Sequence, residues 1–281
     1  MSTESKIEKS IHIDAELDSV WRAWADPERL AAWFVDRAEG RLAEGETYTW
    51  VWEEFALTVE YEVTALEYHK RFSLRTTAPD GRLEVLTVRF QSDEGHSIVN
   101  LVHSGFGDDD ETVCGVDSGW TLALELLREY VERHAGKESQ TLWLSREAEL
   151  TDPTLDRLYR TQVGLESWLT KEGGFPAGKG APVDAKLRDG TSVTGSVLAH
   201  QGRESAICWD EVGGVLELKA GGGERPWVGI RLTTWHDPEA EEGGRVDLDP
   251  LRDEFSAALD RLVEQLSDAA RVDPVEEATG D

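Results

Sequence analysis

The feature that most constrains this chain is that it repeats itself. A gapless shift of 135 residues lays LTDPTLDRLYRTQVGLESWL (150–169) beneath AELDSVWRAWADPERLAAWF (15–34), pairing Leu30 with Leu165, Trp33 with Trp168 and Phe34 with Leu169. In the first copy Val20, Trp21 and Trp24 recur at three- and four-residue steps and share one helix face, and Leu30, Trp33 and Phe34 repeat the pattern one helix later. Asp26-Pro27-Glu28 between them reads as a helix start. Asp accepts from the first free amides, Pro suits the first helical position, and Glu suits the positive helix end. The same shift pairs Leu124, Leu127 and Val131 with Leu259, Leu262 and Leu266, in helices expected over 115–134 and 250–268. Self-similarity at a fixed period implies one structural unit used twice. The expected units are 1–137 and 138–268, followed by a disordered acidic tail at 269–281, and 281 residues suit two domains that each bury a core.

Each copy has the same order of elements. KIEKSIHI alternates and reads as a strand before the helix pair; after it, Tyr48, Trp50 and Trp52 alternate with Thr47, Thr49 and Val51, and Leu57, Val59, Tyr61 and Val63 alternate with polar neighbours. Further strands fit 71–76, 83–90 and 96–106, with APDG (78–81) as a turn, and Val116, Trp120, Leu124, Leu127 and Val131 stripe a closing helix. The second copy follows with TLWLSREAEL, its helix pair, and strands near 183–188, 193–200, 204–209, 214–219 and 227–235. GGFPAGKG (173–180) and AGGGE (220–224) read as loops, and HAGKESQ (134–140) as a short joint that favours a monomer with the copies packed as a pseudo-dimer.

Three segments in order, SVWRAWADPERLAAWF, LVHSGF (101–106) and GWTLALELLREYV (119–131), carry a resemblance to the homologues of the activator of the heat-shock-protein-90 ATPase, a branch of the START-like helix-grip superfamily. It covers residues 6–135 well and 141–268 only through the helices. The resemblance implies an α+β fold of two tandem helix-grip domains, each a curved antiparallel sheet around a long C-terminal helix with an apolar cavity between them. In the superfamily such cavities hold lipids, sterols, polyketides or other greasy molecules. The eukaryotic activator differs in carrying an unlike N-terminal domain that docks the chaperone, where this chain has another copy of the unit.

Site candidates follow from the aromatics. Trp33, Phe34, Tyr48, Trp50 and Trp52, with Tyr61, Phe72, Phe106 and Trp120, are expected to converge beneath the closing helix, either as core or as the walls of a cavity that Leu124 also lines. His103 precedes Ser104-Gly105-Phe106, and the resemblance implies a place for it near the cavity mouth. Three functions stay open: a binder of a small hydrophobic molecule, a chaperone-associated or other protein-interaction module, and a cavity enzyme such as a cyclase or hydrolase. No catalytic residue, metal site or cofactor is assigned. The seven histidines are scattered, no G-x-S-x-G or H-E-x-x-H pattern is present, and the glycine runs follow no phosphate-binding motif. GDDDE (107–111) lacks the interleaved spacing of a calcium loop and reads as a solvated loop. Cys114 and Cys208 are too few for a disulfide framework and read as buried thiols.

Charge narrows the partners. Asp plus Glu number 57 against 29 Lys plus Arg, a formal charge of −28 spread over both halves. Such a surface repels phosphate backbones and anionic lipids, which argues against nucleic acid, and no apolar run reaches the length of a membrane span. The expected location is cytoplasmic. Diffuse acidity with only 8 Lys beside 21 Arg resembles proteins of salt-loving organisms, in which screening relieves self-repulsion. The melting temperature is therefore expected to rise between about 0.1 M and several molar potassium chloride, as the screening length shortens and apolar burial strengthens; a flat or falling profile in thermal denaturation contradicts the halophilic reading.

Overall fold

The computed structural model describes residues 5–222, 225–239 and 244–272. The chain divides into two compact units, Met1–Ser139 with Trp235–Gly244, and Gln140–Thr234 with Arg245–Asp281.

In the first unit, β1 (Lys6–Ile13) leads into α1 (Leu17–Ala25) and α2 (Pro27–Ala31), then β2 (Arg37–Gly40), β3 (Thr47–Trp52), β4 (Leu57–Glu67), β5 (Arg71–Thr77), β6 (Leu83–Asp93), β7 (His96–Ser104) and α3 (Asp110–Glu129). The strands form one antiparallel sheet in the order β1-β7-β6-β5-β4-β3-β2. The second unit repeats the order with β8 (Glu138–Glu147), α4 (Asp152–Arg160), α5 (Gln162–Trp168), β9 (Thr170–Gly174), β10 (Pro182–Leu187), β11 (Ser192–Gln201), β12 (Glu204–Trp209), β13 (Gly214–Gly221), β14 (Trp227–His236) and α6 (Asp249–Val272). Its sheet order, β8-β14-β13-β12-β11-β10-β9, is the first sheet's order over again. These are two tandem helix-grip domains of the α+β class, as the resemblance implies.

The duplication extends to single hydrogen bonds. Trp33 Nε1 donates to the Ala23 carbonyl at 2.9 Å, and Trp168 Nε1 donates to the Leu158 carbonyl at 3.0 Å, both 135 residues further on. Asp26 caps α2 by accepting from the Glu28 amide, and Thr161, at the matching position, caps α5 by accepting from Gly164. The Gly45 amide donates to the Val63 carbonyl and the Val63 amide to Glu46, just as Gly180 donates to Val197 and Val197 to Ala181. A bulge follows in each second strand, between Val63 and Ala65 and between Val197 and Ala199.

Several boundaries differ from the sequence reading. Strands β2 and β9 are not expected from RAEG and TKEGG, which lack apolar alternation; pairing with β3 and β10 holds them in the sheets. Gly173 and Gly174 thus belong to β9 and not to a loop, and Ala220 and Gly221 to β13. Glu138–Gln140 of the expected joint already start β8. In GDDDE, Asp109 accepts from the Thr112 amide and Asp110 and Glu111 open α3, so the segment is a helix start. Cys208 is buried but Cys114 is exposed, because it lies on the outer side of α3. Helix α6 runs through Val272, past the expected start of the tail, and 273–281 fall outside the described residues.

Removing either matched indole bond, by Trp33→Phe or Trp168→Phe, is expected to cost about 1–3 kcal/mol in urea denaturation, because each leaves a buried carbonyl without its donor. Similar losses at both positions test the equivalence of the copies; a loss at one position alone contradicts it.

Candidate functional site

Along the central strands of the first sheet, the inward side chains pass from buried at one end to partly exposed at the other. On β3, Tyr48 and Trp50 are each 1% exposed, whereas Trp52 is partly open. On β4 the sequence runs from buried Val63 to partly exposed Tyr61 and Val59, on β5 from Leu74 to Thr76, on β6 from Leu86 to Glu84, and on β7 from Leu101 to His103. The register places these open positions at one end of the sheet, with Thr76 opposite Glu84 and Leu86 opposite His103. At this end, side chains that point between sheet and helix thus meet solvent.

Large rings pack over this face from the helix side. Phe34, just beyond α2, stacks on Trp33 at 5.0 Å and on Trp120 of α3 at 5.4 Å, and meets Trp50 and Trp52 edge-on at 5.3 and 5.5 Å. Trp50 lies 4.7 Å from Tyr61. Behind them, Trp24 of α1 touches Trp33, Phe34, Trp50, Phe72 and Trp120, with centroids between 5.0 and 6.5 Å. Offset and edge contacts at these spacings stabilise beyond area burial alone.

Polar groups line the other side. The Trp120 indole N–H donates to His103 Nδ1 at 3.1 Å. An indole only donates, so Nδ1 presents its lone pair and the imidazole proton sits on Nε2. That nitrogen faces Glu84 Oε2 at 3.4 Å. Gly105, with φ of +84°, ends β7 where an added Cβ would sit 1.9 Å from the Leu83 carbonyl. Only glycine fits this turn, which returns Phe106 to 5.2 Å from His103. Burial, and secondarily the charge of Glu84, push the Tyr61 phenol above its ordinary range, so its hydroxyl keeps its proton.

The structure thus brings Trp33, Phe34, Trp50, Trp52, Tyr61, His103, Phe106 and Trp120 together in one cluster of rings. Tyr48 and Phe72 lie deeper: the Tyr48 hydroxyl is spent on the Trp24 carbonyl at 3.1 Å, and Phe72 packs on Trp21, Trp24 and Phe90. Leu124 is buried one turn past Trp120. Trp24, Thr76 and Glu84 are the participants that the sequence reading omits. Alternation with Leu86, Val88 and Phe90 marks Glu84 as inward-facing, but only register shows what it meets.

The second unit lacks this arrangement. At the positions of Trp50, Trp52 and Trp120 it carries Ala185, Leu187 and Phe255, all closed within its core. A separate groove of about 730 Å³ lies on the outer face of the first sheet, lined by polar groups including Glu8, His12, Arg89 and Asn100. Its polarity and openness suit water better than an apolar molecule. Among the described residues no three His, Cys, Asp or Glu side chains are grouped to hold a metal, and no helix is long and apolar enough to cross a membrane.

Residues 14–132 match the family described as Activator of Hsp90 ATPase homolog 1-like protein. The match lies within the first unit. Solved structures similar to the chain include DynU16, a putative protein in the dynemicin biosynthetic locus, at 18% identity over 93% of this chain and 99% of that one, with a TM-score of 0.44. The Aha1 dimer from Colwellia psychrerythraea has 18% identity over 47% and 99%, with a TM-score of 0.42. The AHSA1-like protein from Aeromonas hydrophila has 24% identity over 46% and 92%, with a TM-score of 0.39. No curated protein matches the chain.

The hydrogen-bond chain in the first unit fixes a tautomer that NMR can read. Long-range proton–nitrogen spectra at neutral pH are expected to show His103 with a bare Nδ1 and a protonated Nε2, and Trp120→Phe is expected to release that preference. A protonated Nδ1 in the parent protein contradicts the Trp120 bond.

Proposed function

We propose that the first unit binds a small hydrophobic molecule in the cleft between its sheet and α3. The observation that carries this reading is the gradient along the inner face, which closes over Tyr48, Leu74, Leu86 and Leu101 and opens at Trp52, Tyr61, Thr76, Glu84 and His103. A pocket walled by aromatic rings with a few convergent polar groups has the composition of a small-molecule site. Its rings supply apolar area for burial at about 25 cal/mol per Å², and the polar groups set orientation. The second unit, with Ala185, Leu187 and Phe255 in place of the three tryptophans, serves as a structural partner in this reading.

A chaperone-associated role is the second reading, favoured by the description of the matching family. The two separate by experiment. Nile red, a neutral apolar dye, is expected to bind the parent protein saturably with a blue-shifted emission. Thr76→Phe, which fills the cleft from the sheet side, is expected to weaken binding tenfold or more with little change in melting temperature, whereas Arg89→Ala on the outer face changes neither. Dye binding that is unsaturable, or indifferent to Thr76→Phe, counts against the cleft, and capture of an ATPase chaperone without dye uptake supports the second reading.

A further inference from the structure

One arginine of the first unit has no carboxylate of its own. Nine of the ten arginines before residue 139 form ion pairs with Asp or Glu. Arg89 is exposed, and its side chain makes neither an ion pair nor a hydrogen bond among the described residues. A chain with 57 acidic residues has no shortage of partners, so the exception is one of position.

The strand register shows what that position lacks. On the outer face of the first sheet one row crosses five strands: Glu67 stands opposite Arg71, Arg71 opposite Arg89, Arg89 opposite Asn100, and Asn100 opposite Ser10. Like charges directly opposite each other destabilise a sheet. Arg71 is answered by Glu67 at 2.6 Å, but on the far side of Arg89 the row continues with two neutral residues. The carboxylate in the neighbouring row, Glu8, is held by Lys6, the leading cause of its lowered pKa, with Arg89 the smallest contributor. The same face of the second sheet is built otherwise. There Glu217 stands opposite Arg231 and Glu204 opposite Lys219, so each cation meets an acid across the ladder.

The vacant side of Arg89 coincides with the groove of about 730 Å³ on this face. Its floor is β7, where Ile98, Asn100 and Val102 are half-buried, and its rims are exposed residues of the flanking strands, Ser10 and His12 on β1 and Arg89 and Gln91 on β6. The Asn100 amide and the Ser10 hydroxyl make no hydrogen bond among the described residues, whereas the hydroxyls of Ser73 and Thr87 are spent on each other at 2.9 Å. Ile98 and Val102 flank Asn100 along the strand at about 7 Å, the distance between alternate residues, and give the floor apolar surface on either side of it.

We propose that the groove over β7 binds a small organic carboxylate. Its oxygens take the place beside Arg89 that Glu67 takes beside Arg71, Asn100 and Ser10 donate to them, and its apolar body lies along Ile98 or Val102. Guanidinium and carboxylate match as a charge-assisted pair. The net charge of −28 opposes an anion at a distance. At physiological salt the screening length is about 8 Å, so the groups lining the groove dominate there. This site is on the opposite face of the sheet from the cleft proposed above and does not depend on it.

The test is an NMR titration of the full chain with hexanoate and its neutral isostere hexanamide, following the Asn100 side-chain amide and the Arg89 Nε–H. Hexanoate is expected to shift both resonances saturably and to bind about tenfold more tightly than hexanamide, the factor that a charged hydrogen bond supplies. Arg89→Ala is expected to weaken hexanoate at least tenfold. Asn100→Asp supplies the missing carboxylate from within, so it is expected to abolish hexanoate binding with a melting temperature no lower than that of the parent protein. Thr76→Phe, on the inner face, is expected to leave hexanoate binding unchanged. Equal affinity for the two compounds, or undiminished hexanoate binding by Arg89→Ala, overturns the proposal. Loss of hexanoate binding in Thr76→Phe alone places the anion on the inner face and overturns it as well. Inorganic phosphate binding as tightly as hexanoate overturns the organic carboxylate as the ligand class.

Discussion

One helix has to cover the inner face of seven strands. Strands spaced about 4.8 Å apart make such a sheet nearly 30 Å wide, and a helix is only about 10 Å across. Helix α3 cannot close that face alone, and the short α1–α2 pair covers only part of the remainder. Large rings span the rest, which is why Trp24 can touch partners from the turn after α2, from β3, from β5 and from α3 at once. Where rings and helices together suffice, inward residues are sealed. Where they fall short, at the end of the sheet holding Tyr61, Thr76, Glu84 and His103, the face stays open.

Much of this was legible in the sequence because it depends on periodicity. The helix pair, the aromatic alternation of Tyr48, Trp50 and Trp52, and the stripe on α3 each follow from spacing, and the repeat at 135 residues set the tandem architecture before any strand was placed. What escaped was information held between strands. RAEG becomes β2 only because β3 offers it a ladder, and GDDDE becomes a helix start only because Asp109 finds the Thr112 amide. Glu84 reads as one more acidic residue among 57 until its register brings it to His103. The open valences of Trp24 and Trp50 exist only relative to every acceptor around them, so no window of sequence contains them.

The two copies have placed their polar groups differently. In the second unit the core holds fewer aromatic rings, among them Tyr159, Trp168, Phe175, Trp209 and Phe255, and charge is buried on the sheet: Lys219 Nζ lies 3.6 Å from both Glu204 and Glu217, and Arg231 Nε lies 3.8 Å from Glu217. Burial pushes the Glu204 carboxyl up, against the opposing pull of Lys219. Buried ion networks of this kind contribute little net stability, and their best-attested use is to specify one arrangement over others. The first unit buries aromatic rings with unspent donors, the second buries balanced charge. A common backbone thus supports two interiors of different chemistry.

The paired hydrogen bonds also show where the chain has been free to change length. From Ala23 to Glu46 each bonded residue has its counterpart 135 positions on, yet Val63 corresponds to Val197, an offset of 134. One residue has therefore been lost at the tip of a hairpin, where only a turn must re-form. The path between the Ala23 carbonyl and the Trp33 indole has tolerated no such edit, because a single extra residue would rotate the ring away from its acceptor. Insertions into this fold are thus best placed at a tip such as 188–191, and the helix pair acts as a gauge of fixed length that later divergence has left untouched.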